Sequence, residues 1–278
     1  MLAKFAKGNV VCVGLIDTHS HLQSKAFSED LERCVSEAKL AGVASIVVCA
    51  GSAADWTRTR EVAHRYGLAY MLGIHPLLVP QSHENDLLKL AEVVKLAIDD
   101  PHFIGIGEIG LEGLTMTIDE RQEWFFREQL KLARLYGLPV SVHVRKSASR
   151  LLYHLRRQPV HGVIHAFNGS VVEREAFLKL GFKLGFGGAV TYDGSQRIRR
   201  HASELPADAW VLETDAPDMP SSERRDTGDL RTEPKDIART LEVVAALRGM
   251  SLMAAQVEST NNALEAFPRL RACLPKVQ

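Results

Sequence analysis

Eight short apolar runs rich in β-branched residues alternate along the sequence with longer segments of helical periodicity. This alternation is typical of repeated βα units, whose parallel strands are buried on both faces. The predicted strands are residues 14–21, 45–51, 69–75, 103–108, 139–144, 162–167, 182–188 and 210–215. The predicted helices are residues 28–41, 53–66, 86–98, 119–136, 147–157, 171–180, 195–203 and 234–247, and a final helix at 252–266 is expected on the outside.

Eight consecutive βα units predict an α/β fold, a (β/α)8 TIM barrel that occupies residues 1–278 as a single domain. A doubly wound open sheet is the alternative. Such sheets usually have fewer strands and often carry a glycine-rich phosphate turn, which this sequence lacks. The stretch 216–233 shows no helical or strand pattern, and irregular loops of that length are commonly functional.

The charge balance and the hydropathy exclude several classes of protein. Lys and Arg total 34, and Asp and Glu also total 34, so no net field draws the chain toward polyanions or membranes. Any contact with nucleic acid therefore depends on a local patch. The absence of a run of about 18 apolar residues argues against a membrane span. Four cysteines without a C-x-x-C pair fit a reducing compartment, so we expect a cytoplasmic protein.

Histidines and carboxylates recur where the predicted strands end. Asp17, His19 and His21 alternate along the first strand, and a period of two places their side chains in the barrel interior. Later strands end in His75, Glu108, His143, His165 and Asp215. Barrel active sites are built at these carboxyl ends, and a buried charge is costly unless it is paired or coordinated. Four histidines and two carboxylates gathered there suit one or two divalent cations.

Six segments, taken together in their order, resemble the TatD family of metal-dependent deoxyribonucleases. They are Asp17-x-His19-x-His21, Gly73-Ile-His75-Pro76, Gly107-Glu108-Ile-Gly-Leu111, Leu138-Pro139-Val140 leading to His143 and Arg145, His165-x-Phe167-x-Gly169, and Glu213-Thr-Asp215. The resemblance extends from about residue 15 to residue 267. The segment 213–220 is similar to the YjjV-like branch of the family.

The resemblance implies a barrel of the metallo-dependent hydrolase type that hydrolyses DNA with two divalent cations, Zn, Mn or Mg. The implied ligands are His19, His21, Glu108 and Asp215 for one cation, and Glu108, His143 and His165 for the other. Glu108 would then bridge the two. Two cations about 3.5 to 4 Å apart can clamp a phosphoryl group and lower the pKa of a bound water toward about 7.

The resemblance also implies roles for residues around the cations. Asp215 would be the general base and, with Glu108, would form the catalytic pair. His75 and Arg145 would bind the substrate phosphate. Asp17 would orient a ligand histidine. The expected substrate is DNA, with single strands favoured and RNA as a further substrate, and no membrane is involved.

Support for nucleic-acid binding is thinner than support for metal binding, because only 6% of the residues are aromatic. The candidate contacts near the active face are Arg145, Lys146, Arg197, Arg199 and Arg200, with Phe167 and Tyr192 as candidate stacking residues. The sequence also departs from the family pattern at Glu112, Ala166, Asn168 and Thr232. None of these departures removes an implied metal ligand. The other histidines are expected at the surface: His64, His83, His102, His154, His161 and His201.

Two other functions remain open from the sequence. One is a hydrolase of the wider amidohydrolase type that attacks an ester or amide, such as the bond in a D-aminoacyl-tRNA. Many members of that superfamily use a carbamylated Lys on strand four, where this sequence has Glu108, and this favours the TatD-like interpretation. The other is a metal-binding or scaffold protein without activity, which a complete ligand set with a base argues against.

Overall fold

Eight parallel strands pair in sequence order in the computed structural model, which describes residues 14–275. The strands are β1 (Leu15–Ser20), β2 (Val43–Cys49), β3 (Ala69–Leu72), β4 (Phe103–Glu112), β5 (Val140–Arg145), β6 (Gly162–Ile164), β7 (Phe182–Phe186) and β8 (Trp210–Leu212). The predicted TIM barrel is therefore confirmed, although β4 continues beyond its predicted end at Glu108. The predicted single domain also includes residues 1–13 and 276–278, which lie outside the described residues.

Helices connect and cover the strands, as the periodicity predicts. They are α1 (Leu31–Leu40), α2 (Trp56–Tyr66), α3 (Glu84–Ala97), α4 (Glu120–Leu135), α5 (Ala148–Leu155), α6 (Val171–Lys179), α7 (Gln196–Glu204), α8 (Ser222–Thr227), α9 (Ile237–Arg248) and α10 (Leu252–Ala266). No single helix within residues 14–275 is long and apolar enough to cross a membrane, although the bent pair Pro234–Arg248 and Leu252–Ala266 reaches that length and composition when joined.

Helix α8 lies inside the stretch 216–233, so the prediction of an entirely irregular loop is wrong there. The local signals for this helix are present in the sequence. The Ser221 hydroxyl accepts a hydrogen bond from the Arg224 N–H at the amino end, and Gly228 ends the helix with a φ of 78°. The helix is short because only six residues separate these two caps.

The barrel closes between β1 and the residues that follow β8. The Asp215 N–H donates to His19 O at 2.9 Å, and the His21 N–H donates to Ala216 O at 2.7 Å. Below them, the Asp17 carboxylate accepts hydrogen bonds from the Thr214 N–H at 3.0 Å and from its hydroxyl at 2.6 Å. The closure therefore holds Asp215 against the strand that carries both histidines of the first motif.

Asp17 accepts the main-chain N–H of His19 at 3.3 Å and contacts no imidazole, so it holds a proposed ligand histidine through the backbone and not through the ring as predicted. The register of β1 against β2 shifts between Asp17 and Ser20. A strict period of two therefore does not hold along this strand. Asp17 is fully buried, and that burial raises its pKa to about 7 despite the hydrogen bonds from Thr214.

The last helix, α10, has the predicted bounds and leads into a 3-10 turn at Pro268–Cys273. The Arg269 guanidinium in this turn donates to Phe103 O, at the first residue of β4. Phe267 and Leu270 join a buried apolar cluster with strand residues that include Met71. The end of the chain therefore covers the amino ends of the strands and leaves their carboxyl ends free.

Two of the histidines expected at the surface are buried, so the prediction is wrong for them. His154 is 6% exposed and lies against Phe126, with ring centroids 6.0 Å apart. His201 is 1% exposed, and its Nε2 lies 2.8 Å from Gly169 O. Both occupy the inward face of their helix, where an imidazole packs as an amphipathic ring.

Candidate metal centre

The carboxylate of Glu108 on β4 lies at the centre of the carboxyl end of the barrel. Its side chain is 2% exposed, and ring nitrogens of five histidines lie within 3.2 Å of its oxygens. These histidines are His19, His21, His75, His143 and His165. The fold thus brings together residues from β1, β4 and β5 and from the connections after β1, β3 and β6.

One side of the cluster faces Glu108 Oε2. Nε2 of His19 lies 3.1 Å from this oxygen, and Nε2 of His21 lies 3.2 Å from it. Asp215 Oδ1 lies 3.3 Å from Nε2 of His21 and 3.7 Å from Nε2 of His19. Asp215 reaches this position through a left-handed backbone with a φ of 59°, which is uncommon outside glycine. Two histidines and two carboxylates therefore converge on this side.

The other side of the cluster faces Glu108 Oε1. Nε2 of His165 lies 2.8 Å from this oxygen, and Nδ1 of His143 lies 3.1 Å from it. The close approach of β4 to β5 requires a glycine at position 110, because a Cβ there would lie 2.1 Å from His143 O. The two oxygens of one carboxylate therefore face two separate groups of ligand atoms.

Hydrogen bonds behind the rings fix which nitrogen carries the proton. Nδ1 of His21 lies 2.8 Å from the carbonyl oxygen of Cys49, which can only accept, so Nδ1 is the protonated nitrogen. Nε2 of His143 lies 3.1 Å from Glu112 Oε2, so that nitrogen donates to the carboxylate. In each neutral ring the remaining lone pair then points toward Glu108. Such outer partners are typical of metal-bound histidines.

The sequence pattern did not indicate three residues that hold the histidines in place, namely Ser141, Glu213 and Cys49. The Ser141 hydroxyl lies 2.8 Å from Nδ1 of His19. Glu213 Oε1 accepts the Ala166 N–H at 2.5 Å and so fixes the turn after His165. The carbonyl of Cys49 also accepts a hydrogen bond from the Gln23 side chain at 2.8 Å. Ser141 and Glu213 stand two residues from His143 and Asp215, and this spacing along a strand was the available signal.

His75 carries its ring proton on the nitrogen that faces Glu108, unlike His21 and His143. Nδ1 of His75 accepts the Leu77 N–H at 3.1 Å, so the ring proton lies on Nε2. That Nε2 lies 3.1 Å from Glu108 Oε1. A ring nitrogen that carries a proton has no lone pair for a cation. The geometry therefore separates His75 from His21 and His143, whose lone pairs face the centre.

The electrostatics of the cluster keep the Glu108 carboxylate negatively charged, and this charge favours a cation beside it. Burial opposes ionisation of Glu108, but the imidazoles of His75, His165 and His19 outweigh it and hold the carboxyl pKa well below its usual range. Burial also opposes the charge on His165, yet Glu108 outweighs it and raises that pKa to about 9. Burial, reinforced by His165, lowers the pKa of His19 to about 4. The carboxylate is thus ionised and surrounded by groups that compensate its charge.

The residues fit divalent cations on the chemistry of their donor atoms. Three sets of residues bring atoms that can bind a metal within 4.8 Å of one another: His19 with His21 and Asp215, His19 with Glu108 and His165, and His75 with Glu108 and His143. The third set would need His75 Nε2 without its proton, because Nδ1 accepts the Leu77 N–H. Neutral imidazole and carboxylate are the usual ligands of Zn and Mn, and carboxylate also suits Mg. Glu108 Oε1 is buried and makes no well-formed hydrogen bond despite the nitrogens around it, as expected for atoms that converge on a common point.

Arg145 is the predicted site residue that lies away from the buried cluster. It ends β5, two residues beyond His143, and pairs across the sheet with Glu112. Its side chain is exposed, and its guanidinium has no ion-pair partner among residues 14–275. Lys146 follows it with an exposed side chain and a φ of 52°. These two cations therefore stand free at the mouth of the barrel.

The other candidate nucleic-acid contacts are only partly available. Phe167 is 1% exposed and packs on Phe177 at 6.1 Å, so the prediction that it stacks on bases is wrong. The cause is Ala166, whose φ of 48° turns the chain and directs Phe167 into the protein. Arg200 pairs with Glu204 on its own helix.

Arg199 and Tyr192 are likewise engaged in local contacts. The Arg199 guanidinium donates to Val190 O at 3.1 Å, and the Tyr192 hydroxyl donates to Pro220 O at 2.8 Å. Arg197 donates to the side chain of Asn168 at 2.8 Å and remains exposed. Arg145, Lys146 and Arg197 are therefore the accessible cations of the predicted set.

The departures from the family pattern have different structural outcomes. Glu112 is fully buried and bonds to His143, so it supports the centre directly. Burial opposes its ionisation, but the hydrogen bond from His143 and the N–H groups of Thr115 and Leu114 lower its pKa to about 2. Thr232 is 1% exposed, and its hydroxyl has no hydrogen-bond partner in the described part of the chain.

Comparison with known proteins gives matches that span the barrel. A family model described as "TatD related DNase" matches residues 16–268. The "Uncharacterized metal-dependent hydrolase YjjV" of Escherichia coli (strain K12) is 37% identical over 237 residues, covering 84% of this chain and 90% of that protein. The crystal structure of E. coli YjjV has a TM-score of 0.85 at 33% identity and covers 93% of this chain and 99% of that chain. The "3'-5' ssDNA/RNA exonuclease TatD" of Erwinia billingiae is 30% identical over 262 residues, covering 91% of this chain and 98% of that protein.

Proposed function

The chain belongs to the TatD family of metal-dependent hydrolases, and on that basis we propose that it hydrolyses DNA phosphodiester bonds at a centre for two divalent cations. One observation carries the proposal. Nε2 of His19 and Nε2 of His21 lie within 3.2 Å of Glu108 Oε2, and Asp215 Oδ1 lies 3.3 Å from the same nitrogen of His21. Nitrogens of His143 and His165 lie within 3.1 Å of the other oxygen, Oε1. A carboxylate with a ligand group at each oxygen is suited to bridge two cations.

The proposed ligands are the six residues of the two groups: His19, His21, Glu108 and Asp215, and Glu108, His143 and His165. When bound, the two cations supply Lewis acidity for the phosphoryl oxygens and a water that ionises near neutral pH. Histidine-rich ligation favours Zn or Mn by affinity, and Mg is the third candidate. The chain itself excludes water from the base of the site, because the side chains of His19 and Glu108 are almost completely buried.

Asp215 is the proposed general base. Its side chain is 13% exposed and that of Glu108 is 2% exposed, so water at the mouth reaches Asp215 more readily. Burial would raise the pKa of Asp215, but the hydrogen bond with His21 and the imidazoles of His165 and His19 outweigh it and lower that pKa. The carboxylate is therefore ionised at neutral pH and can accept the proton of the attacking water.

His75 and Arg145 are the proposed phosphate-binding residues. His75 presents a protonated Nε2 to the centre because its Nδ1 is occupied by the Leu77 N–H. Arg145 is exposed at the end of β5, and its planar guanidinium can donate two hydrogen bonds to one phosphate. Together they would hold the phosphodiester from two sides, while Asp215 acts on the water.

Single-stranded DNA is the proposed substrate, with RNA as a second one and the cytoplasm as the site of action. The Erwinia relative carries a name that specifies ssDNA and RNA. The accessible cations of the predicted set are few, namely Arg145, Lys146 and Arg197, which suits a narrow strand better than the wide footprint of a duplex.

The test is hydrolysis of an end-labelled single-stranded oligonucleotide by chelator-treated protein, with Mg, Mn or Zn added back. We expect cleavage that requires added metal and is absent from the Asp215→Ala variant. Cleavage that persists without metal, or in that variant, would contradict the proposal. No cleavage with any metal would reject DNA as the substrate and direct the assay to ester and amide substrates.

A further inference from the structure

Residues 76–82 after β3 and residues 113–118 after β4 carry no charged side chain, whereas β5 ends in Arg145 and is followed by Lys146. Residues 76–82 read Pro-Leu-Leu-Val-Pro-Gln-Ser, and residues 113–118 read Gly-Leu-Thr-Met-Thr-Ile. The exposed cations Arg145, Lys146 and Arg197 lie beyond them around the barrel, after β5 and at the start of α7. Because strands β1 to β8 are arranged in sequence order, the mouth has an uncharged side and a basic side.

Exposed leucines stand on both uncharged connections. Leu77 is 39% exposed and Leu114 is 53% exposed. Leu78 is 37% exposed and rests on the β2 side, since a Cβ on Gly51 would lie 3.1 Å from its Cδ1. One exposed leucine needs no explanation, but leucines on two adjacent connections at the mouth of a site form an apolar surface.

Each connection is fastened directly to the centre by a main-chain hydrogen bond. The Leu77 N–H donates to Nδ1 of His75 at 3.1 Å, and Nε2 of that ring lies 3.1 Å from Glu108. The Leu114 N–H donates to Glu112 Oε1 at 2.6 Å, while Oε2 of that carboxylate lies 3.1 Å from His143. Both leucines are thus held at fixed positions, one side chain away from the proposed ligands and phosphate-binding residue.

We propose that Leu77 and Leu114 form a nucleobase subsite beside the proposed phosphodiesterase centre. A nucleobase presents an apolar face that packs on aliphatic as well as aromatic side chains, and an uncharged surface accepts any of the bases. The sugar-phosphate strand would then continue from the centre toward Arg145 and Lys146. The subsite rests on the proposed function, because its occupant is the base attached to the phosphate that is cleaved.

Charge complementarity favours a nucleotide over other occupants. A single nucleotide unit has one apolar face and one anionic group, and the mouth offers an apolar side and a basic side across one centre. An aliphatic ester or a peptide would leave the exposed guanidinium of Arg145 without a counterpart. Phe167 is buried and supplies no stacking surface, whereas Leu77 and Leu114 are exposed at the mouth.

The test compares a natural oligonucleotide with an oligonucleotide of the same length made only of abasic residues. Both carry the same end label, and both are cleaved by wild-type holoenzyme and by the Leu77→Ser and Leu114→Ser variants. The matched control is Leu96→Ser on α3, a side chain 82% exposed and remote from the mouth. Thermal unfolding curves establish that all the variants are folded.

We expect each mouth variant to lower kcat/KM on the natural strand about fivefold, the lower end of what base stacking contributes. On the abasic strand, both variants should match the wild type, and Leu96→Ser should match it on both strands. Equal losses on the two strands, or no loss on either, would overturn the subsite. If the wild type cleaves neither strand, the proposed phosphodiesterase function is rejected instead.

Discussion

Nε2 of His19 lies 3.3 Å from Nε2 of His21, and each ring has another partner at Nδ1. For His21 that partner is a carbonyl oxygen, so its Nε2 carries a lone pair that faces His19 and Glu108 Oε2. Nδ1 of His143 and Nε2 of His165 are also 3.3 Å apart, next to Glu108 Oε1. Two imidazole nitrogens at this distance need a cation or a proton between them, and the pairs stand on opposite oxygens of one carboxylate.

Replacement of Asp215 by Asn should separate proton transfer from metal binding. Asparagine keeps the shape but cannot accept the proton of a water, so we expect a loss of turnover of at least about 100-fold. The cation held by His143 and His165 should remain, because neither residue contacts Asp215 in the ligand geometry. Steady-state cleavage rates and elemental analysis check the two parts. Substantial remaining activity would remove Asp215 from the role of base.

Glu112 should act on the metal through His143. The Glu112→Gln variant loses the charge that fixes the His143 ring, and such outer partners typically contribute about 10 to 100-fold to metal affinity. The conservative Glu112→Asp variant keeps the charge and should restore most of the affinity. Competition with a chromogenic chelator measures the dissociation constant. If Gln and Asp variants bind metal equally well, the charge of Glu112 has no part in holding the cation.

Closure of the barrel should depend on the contact between Thr214 and Asp17. The Thr214→Val variant removes the 2.6 Å hydrogen bond and leaves a buried carboxylate oxygen with fewer partners, at a cost of about 1 to 3 kcal/mol in the free energy of unfolding. Ser45→Ala is the control, because the Ser45 hydroxyl is buried with no partner among the described residues. Urea unfolding should show a lower free energy of unfolding for Thr214→Val and an unchanged one for Ser45→Ala. If both variants are as stable as the wild type, the Asp17 contact does not support closure.

The ionisation of Glu233, which links the end of the 216–233 stretch to α1, should make the stability of the fold depend on pH. Burial opposes its ionisation, but hydrogen bonds from Arg33, Lys235 and Arg231 outweigh it and lower its pKa to about 2. A lowered carboxyl pKa stabilises the fold above the unfolded value of about 4.3, and this contribution is lost as the pH falls toward 2.

The Glu233→Gln variant should therefore be less stable than the wild type by about 2 kcal/mol at neutral pH. The difference should narrow as the pH falls from about 4.3 toward 2, since the unfolded wild type takes up a proton at Glu233 in this range while the folded wild type does not. Glu29→Gln, at an exposed position, is the control. Thermal unfolding across this range checks the trend, and a difference that stays constant with pH would contradict the assignment.

Much of the centre could be predicted from the sequence, because the functional residues of a barrel lie at the carboxyl ends of its strands. His143 and Glu108 lie on strands, His165 directly follows β6 and Asp215 lies three residues beyond β8, so the ends of apolar runs marked them. The errors arose where local geometry departs from that rule. The register shift in β1 redirected Asp17 to Thr214, and the left-handed Ala166 turned Phe167 inward.

Contacts distant in sequence were harder to foresee. The Glu112 contact with His143 depends on β4 continuing to residue 112, and the apolar run gave no sign of that extension. The carbonyl of Cys49 orients His21 without any side-chain signal at all. Main-chain groups carry no residue identity, so only the folded arrangement shows that they hold a ligand.

The most direct test of the account is the number of metal ions bound per chain in the wild type and in Glu108→Gln, after removal of free metal by gel filtration. Glu29→Gln serves as the exposed control. If Glu108 bridges two cations, the wild type and the control should bind about two per chain, and Glu108→Gln should bind one or fewer. A Glu108→Gln variant that still binds two ions per chain would contradict the bridged centre.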